Sequence, residues 1–224
     1  MDSLVRAFPL TRHSAIEAAR SPDEAERARG LQTVAAAYWR PVYGYLRLHW
    51  KKPHDEAADL AQEFFAELLE RKLLERFDPS RARLRTWLRV CIDGLVQNSS
   101  RAAARRERTF DFDAARDELT PSVEDCFDKE WARAVFGLAL QRLRDQCERD
   151  GKRQHYELLE AYDLGDRPSY AQLAERSGIA VTDVTNRLAW ARRELRKCVF
   201  AVLGELTSSE AELQEEARAL LGPS

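Results

Sequence analysis

Apolar residues recur at three- and four-residue spacings along most of this 224-residue chain, and strand-like alternation is almost absent. That period predicts amphipathic helices. Leu84, Trp87, Leu88, Cys91, Ile92 and Leu95 form one narrow stripe at helical spacing. Leu60, Ala61, Phe64, Phe65, Leu68 and Leu69 fill one half of another helical circumference. An aromatic-rich stretch runs from about Gly30 to Trp50, and Pro41 predicts a kink or restart within it. Helix-start signals stand at Thr11 and at Ser21-Pro22. Breaks fall at Lys51-Lys52-Pro53-His54, with Asp55 as a cap, and at Phe77-Asp78-Pro79-Ser80.

Beyond the helix expected from about Arg83 to Arg106, the pattern is lost. Residues Thr109 to Glu130 carry eight acids and two bases without a helical period, which predicts a linker. The period resumes at Trp131 and runs to about Glu148. Shorter helices are expected near 154–163, 170–176 and 182–203, followed by an acidic tail, loosely attached, from Thr207. The expected organisation is all-α: an extension (1–29), a helical domain (30–108), the acidic linker (109–130), a second helical domain (131–204) and the tail (205–224).

Composition narrows the class. Ala, Leu, Glu and Arg dominate, and Gly and Pro are few, at nine and eight, which suits helices. No apolar run reaches the roughly 18 residues needed to span a bilayer, and a secretory leader is not recognisable, so a cytoplasmic protein without membrane insertion is expected. Cys91, Cys126, Cys147 and Cys198 lie far apart without a Cys-x-x-Cys pair and read as buried thiols in a reducing compartment. No phosphate-binding glycine loop, nucleophile elbow or zinc-protease motif is present. Together with the scattered His13, His49, His54 and His155, this predicts a non-enzyme with no cofactor and no metal.

The net charge of −2 hides a local inversion. Asp55 to Glu75 carries seven acids against Arg71 and Lys72, while Arg81 to Arg108 carries eight arginines against Asp93 and Glu107. On the first segment Asp59, Glu63, Glu67 and Glu70 share a stripe opposite the apolar half. Such a stripe serves as a solvated face in many helices, but here no Lys or Arg is interleaved at i+4 among the four carboxylates to relieve their repulsion, which favours a basic external partner. On the second, Arg85 and Arg89 flank the core stripe, Trp87 lies at its edge, and Arg81 and Arg83 precede it. Gln97, Asn98, Arg101, Arg105 and Arg106 extend the polar surface. Arginines bind phosphates without reading sequence, whereas amides and an aromatic can hold unpaired bases.

Ser169 to Leu188 has helix-turn-helix spacing, with Ala174 small at the helix crossing and Gly178 able to take positive φ in the turn. Val184, Leu188, Ala191 and Leu195 face inward. Asn186, Ala189, Trp190, Arg193 and Lys197 face outward, with Thr185 on the flank. A tryptophan exposed among arginines suits a helix in the DNA major groove.

These three segments, in this order, resemble bacterial RNA polymerase sigma factors of the sigma-70 family, extracytoplasmic-function (ECF) type. Asp59-Leu-Ala-Gln-Glu-Phe-Phe is similar to region 2.2, which docks on the clamp helices of the polymerase β′ subunit. Leu84-Arg-Thr-Trp-Leu resembles the start of regions 2.3 and 2.4, which melt and read the −10 element. Tyr170 to Leu195, closing on Ala191-Arg-Arg-Glu-Leu-Arg, resembles region 4.2, which reads the −35 element. The resemblance spans roughly residues 30–106 and 131–203. It implies a sigma region 2-like bundle and a C-terminal helix-turn-helix domain.

It also implies core polymerase, through the β′ clamp helices and the β subunit, and promoter DNA as partners, with an anti-sigma factor as a further candidate. Asp59, Gln62, Glu63 and Glu67 would contact the polymerase. Arg81, Arg83, Arg85, Trp87, Arg89, Gln97, Asn98, Arg101 and Arg105 would contact the opened −10 strand, with a flipped base held near the Phe77 to Arg85 loop. Thr185, Asn186, Arg187, Ala189, Trp190 and Arg193 would contact the −35 element. Two other readings remain open on the residues alone: a stand-alone helix-turn-helix regulator whose N-terminal domain binds a protein partner, and a helical adaptor with no DNA role.

Overall fold

The computed structural model describes residues 14–70, 73–101 and 121–222, giving the backbone alone for 98–101 and 121–125. Every regular element among them is helical: α1 (Ala15–Ala18), α2 (Glu24–Leu48), α3 (His54–Glu70), a 3₁₀ turn (Leu73–Arg76), α4 (Leu84–Arg101), α5 (Pro121–Arg149), α6 (Arg153–Leu159) running into a π-helical turn (Glu160–Leu164), α7 (Tyr170–Ser177), α8 (Val181–Leu206) and α9 (Glu210–Leu221). The chain forms two compact units. One runs up to Ala134 and includes Gly204–Glu216; the other holds Val135–Leu203 and the residues from Ala217. Among the described residues no helix is long and apolar enough to cross a membrane.

In the first unit, Ser14 caps α1 in a reciprocal box with Glu17, so the backbone donors at that helix start find partners. The Thr11 signal lies outside the described residues. α2 begins two residues later than the Ser21-Pro22 pair suggests, because Asp23 accepts from the Glu26 amide at 2.7 Å and takes the cap. It then runs unbroken through Pro41. The proline removes one backbone donor, but Val34, Tyr38, Val42, Tyr45 and Leu46 around it are buried and their packing holds the helix. Gly30 is where α1 crosses α2: a Cβ there would stand 2.3 Å from the Ala19 nitrogen and 2.6 Å from the Ala15 oxygen. The apolar faces of α3 and α4 complete this core through Leu60, Phe64, Leu68, Leu84, Leu88 and Ile92. At roughly 1.5–3 kcal/mol per large buried side chain, these stripes drive assembly of the unit.

Two further expectations change. Helix α5 starts at Pro121, so the last ten residues of the expected linker are helical. Thr120-Pro121 is a helix-start pair, and Phe127, Trp131 and Val135 continue one apolar stripe at four-residue spacing, each almost fully buried; the surrounding acids masked it. Residues 109–120 lie outside the described part. The acidic tail is also more firmly held than expected. α9 begins beside Ser209, whose hydroxyl accepts from the Glu212 amide at 3.2 Å, and Glu216 and Ala217 are buried.

In the second unit Ala139, Leu143 and Cys147 extend the α5 stripe, and Val184, Leu188, Ala191 and Val199 supply that of α8. Ser169 caps α7 with a capping box to Gln172. Gly178 ends it at φ 65°, ψ 33°, a left-handed conformation that costs glycine little. The Ile179 amide reaches back to the Ala174 oxygen at 3.1 Å. Ala174 is buried, as its small size at the crossing predicts. Leu195 is half-buried rather than fully inward.

Candidate polymerase and nucleic-acid interfaces

On α3, Ala57, Leu60, Ala61, Phe64, Phe65 and Leu68 are buried. Asp59, Gln62 and Glu63 are exposed and Glu67 is half-exposed. The carboxylate stripe therefore faces solvent as a continuous band, as the periodicity predicts. Leu69 departs from expectation: it is 52% exposed, outside the buried half where the sequence places it. Trp39 is 37% exposed, with its ring 5.6 Å from that of Phe65. An apolar margin thus accompanies the acidic face. Trp39 stands beside the exposed Arg40 on the polar side of α2.

The loop before α4 is fixed from inside. Asp78 accepts from the Ser80 amide at 2.9 Å and hydroxyl at 2.7 Å. These bonds, the hydroxyl's first, lower its pKa. Arg20 donates from Nε to the Leu74 carbonyl at 2.8 Å and from its terminal nitrogen to the Phe77 carbonyl, and its guanidinium lies over the Phe77 ring. Phe77 itself packs on Trp87, with centroids 5.6 Å apart.

That packing corrects two of the expected DNA contacts. Trp87 is 7% exposed and belongs to the core, so its ring is not offered to a base. Arg89 is 2% exposed, with its guanidinium 5.7 Å from the centre of the Phe127 ring. It lies beneath α5 rather than on the flank, because the helical turns containing Phe127 cover that side of α4. Arg81 is exposed and Gln97 half-exposed. Asn98 and Arg101 lie on the last turn of α4 with only their backbone described, and Arg105 lies outside the described residues.

Arg83 and Arg85 meet acids of their own chain. Arg83 reaches Glu215 at 2.5 Å and Glu216 at 3.0 Å; Arg85 reaches Glu216 at 2.5 Å and Asp128 at 3.1 Å. The Arg85 guanidinium also lies 4.8 Å from the centre of the Trp131 ring. Burial opposes its charge, but the hydrogen bond and charge of Glu216, followed by the charge of Asp128, outweigh burial, and the net direction of its pKa is upward. The three acids were missing from the sequence-based site. The paired Glu215-Glu216 in the tail was the available signal.

A second polar knot lies deeper on α4. Asp93 is 7% exposed and accepts from the Tyr45 hydroxyl at 2.9 Å and from the Trp50 indole nitrogen at 2.8 Å. Burial raises its pKa more than those hydrogen bonds, Trp50's first, lower it.

On α8, Thr185, Asn186, Ala189 and Arg193 are exposed, as expected. The Thr185 hydroxyl donates to the Val181 carbonyl at 3.2 Å. Trp190 differs: it is half-buried, with the His155 ring 4.9 Å away and the Lys152 ammonium 4.3 Å from its ring centre. Burial, then the charges of Arg187 and Lys152, lower the His155 pKa, so the imidazole beside that indole is favoured as neutral. Arg187 is half-buried and bonded to Gln154, which in turn donates to the Ser177 carbonyl at 3.0 Å. Trp190 and Arg187 thus brace α8 against α6, leaving Thr185, Asn186, Ala189 and Arg193 as the outward set.

A solvated acidic helix, α3, is thus followed by the arginine-bearing α4 over one core. Residues 34–106 match the family model of sigma-70 region 2. The matched region 2 segment covers about a third of the chain and contains the second half of α2, all of α3 and all of α4. The likeness to sigma-70 region 2 therefore belongs to this helical segment. No match was found among curated proteins or among solved structures.

Proposed function

We propose that the protein is an ECF-type sigma factor, working in the cytoplasm, that docks on core RNA polymerase and directs promoter opening. The observation carrying this reading is the solvent-facing band Asp59, Gln62 and Glu63 on α3, inside the region 2 match. The band, with Glu67 at its margin, would meet the β′ clamp helices, and Trp39 and Leu69 would supply apolar contact beside it. A partly desolvated core with charged surroundings is the usual anatomy of a specific interface. Arg81, Arg83, Arg85 and Gln97, together with Asn98, Arg101 and Arg105, would follow the opened −10 strand. Thr185, Asn186, Ala189 and Arg193 would face the −35 duplex, since base edges are read by side chains projecting from such a helix. Contact with the β subunit and control by an anti-sigma factor remain parts of the same proposal.

The test is association with core polymerase. The exposed pair Asp59 and Glu63 can be replaced by alanine without opening the core. The D59A/E63A variant should keep its melting temperature and lose association by at least about tenfold, a change of roughly 1.4 kcal/mol. Normal association in that variant would overturn the docking assignment. Operator binding that ignores the polymerase would favour a stand-alone regulator.

A further inference from the structure

Arg83 and Arg85 stand at the start of the helix assigned to the opened strand, yet in the free chain their guanidinium groups are engaged by carboxylates. Glu216 bridges both, at 3.0 Å from Arg83 and 2.5 Å from Arg85, and Glu215 takes another Arg83 nitrogen at 2.5 Å. The Glu216 side chain is 3% exposed, so this is a seat that excludes water rather than a chance surface pair. The residues come from α9, and the stretch Gly204–Glu216 belongs to the same compact unit as α4. Two adjacent carboxylates held by two guanidiniums supply the negative charge and the acceptor oxygens that a phosphate would offer the same arginines.

We propose that α9 is a built-in phosphate mimic which occupies the arginine seat and must leave before the DNA backbone can enter. The proposal rests on the assignment of Arg83 and Arg85 to nucleic-acid contact. Occupation by acid and by DNA is mutually exclusive because the same guanidinium nitrogens serve both. Arg83 and Glu215 are substantially exposed, at 40% and 61% of their side chains, so that pair is screened and yields readily. Glu216 holds the closed state. A polyanion brought near by the docked polymerase can displace it by exchange, with Arg85 keeping Asp128 and the Trp131 face as its fixed supports.

The salt dependence of DNA binding tests this directly. An arginine that exchanges a carboxylate for a phosphate leaves that carboxylate to take up a cation, so its net counterion release is smaller than that of an arginine freed beforehand. Full-length wild type and E215Q/E216Q are titrated with a mixed-sequence single-stranded 30-mer over a salt series. Glutamine keeps the size and an acceptor oxygen while removing the charge. The variant should bind about tenfold tighter, a typical coupling between two sites. Its log–log salt slope should be steeper by about 1.4, or about 0.7 for each of two phosphates engaged by freed arginines. Equal affinity and equal slope would overturn the proposal.

Amide hydrogen exchange in the wild type gives a second reading that needs no substitution and decides the matter if the variant does not fold. Adding the oligonucleotide should speed exchange across Glu210–Leu221, whereas unchanged or slower exchange there counts against displacement. Association with core polymerase is followed in parallel. If neither protein binds the polymerase, the proposed function fails, and the affinity and exchange results still decide the gate. If both bind it but affinity and slope coincide between wild type and variant, the gate alone fails.

Discussion

Asp93 brings a carboxylate into an apolar core, where its two hydrogen-bond donors, Tyr45 and Trp50, come from the far end of α2 and the turn after it. Replacing it with alanine removes the carboxylate that accepts from a buried hydroxyl and a half-buried indole N–H, so D93A should lose about 1–3 kcal/mol; urea denaturation would measure it. D93N keeps an acceptor oxygen and should lose less. The pH dependence has a definite sign. The folded-state pKa of Asp93 is raised, so the native protein holds more protons than the unfolded chain between the ordinary and raised values. Stability should therefore increase as pH falls through the raised value. Wild type should gain on D93N in melting temperature as the solution is acidified from neutrality, and a constant difference would refute the assignment. At this scale the sequence was a partial guide. The α3 stripe was readable because its face depends on local period alone. Arg89 and Trp190 were not, because what covers them (Phe127 in one case, His155 and Lys152 in the other) lies more than thirty positions away in the chain.

Among the elements, α1 and α2 depend on a missing side chain. A methyl group at Gly30 would meet backbone atoms of α1 at 2.3 and 2.6 Å, and backbone cannot swing aside as a flexible side chain can. Alanine gains about 1 kcal/mol in helix propensity, but forced separation of packed helices costs about 1–3 kcal/mol. G30A should be net destabilised, with faster hydrogen exchange in Ala15–Ala18 as its local signature. The second unit tests the opposite case. A Cβ at Gly178 meets no atom within 4 Å, but its φ is +65°. G178A should therefore cost about 1 kcal/mol through backbone strain without disturbing packing, which thermal melting would show. Helix identity was legible wherever an apolar stripe stood clear, as in α3, α4 and α8. The first ten residues of α5 were obscured because eight acids in the surrounding 22-residue segment outweighed Phe127 in the pattern.

For the whole molecule, the balance of 36 basic against 38 acidic residues conceals how charge is distributed. The two compact units carry separable tasks under the proposed function, so their substitutions should separate as well. Asn186→Ala, on the exposed face of α8, should relax promoter choice in mapped transcripts while leaving polymerase association and stability unchanged. Reduced association in that variant would contradict the division of labour. The order of acidic helix, basic helix and helix-turn-helix was visible from charge and period, whereas the return of α9 to α4 was not, because Glu216 and Arg83 are 133 positions apart. One further feature bears on control of the molecule. Cys147 and Cys198 are buried, and Cys91 and Cys126 are partly covered. Burial raises the pKa of each thiol, that of Cys91 to about 12. Thiolates are the reactive form, so peroxide and alkylating reagents should find little to attack in the folded chain.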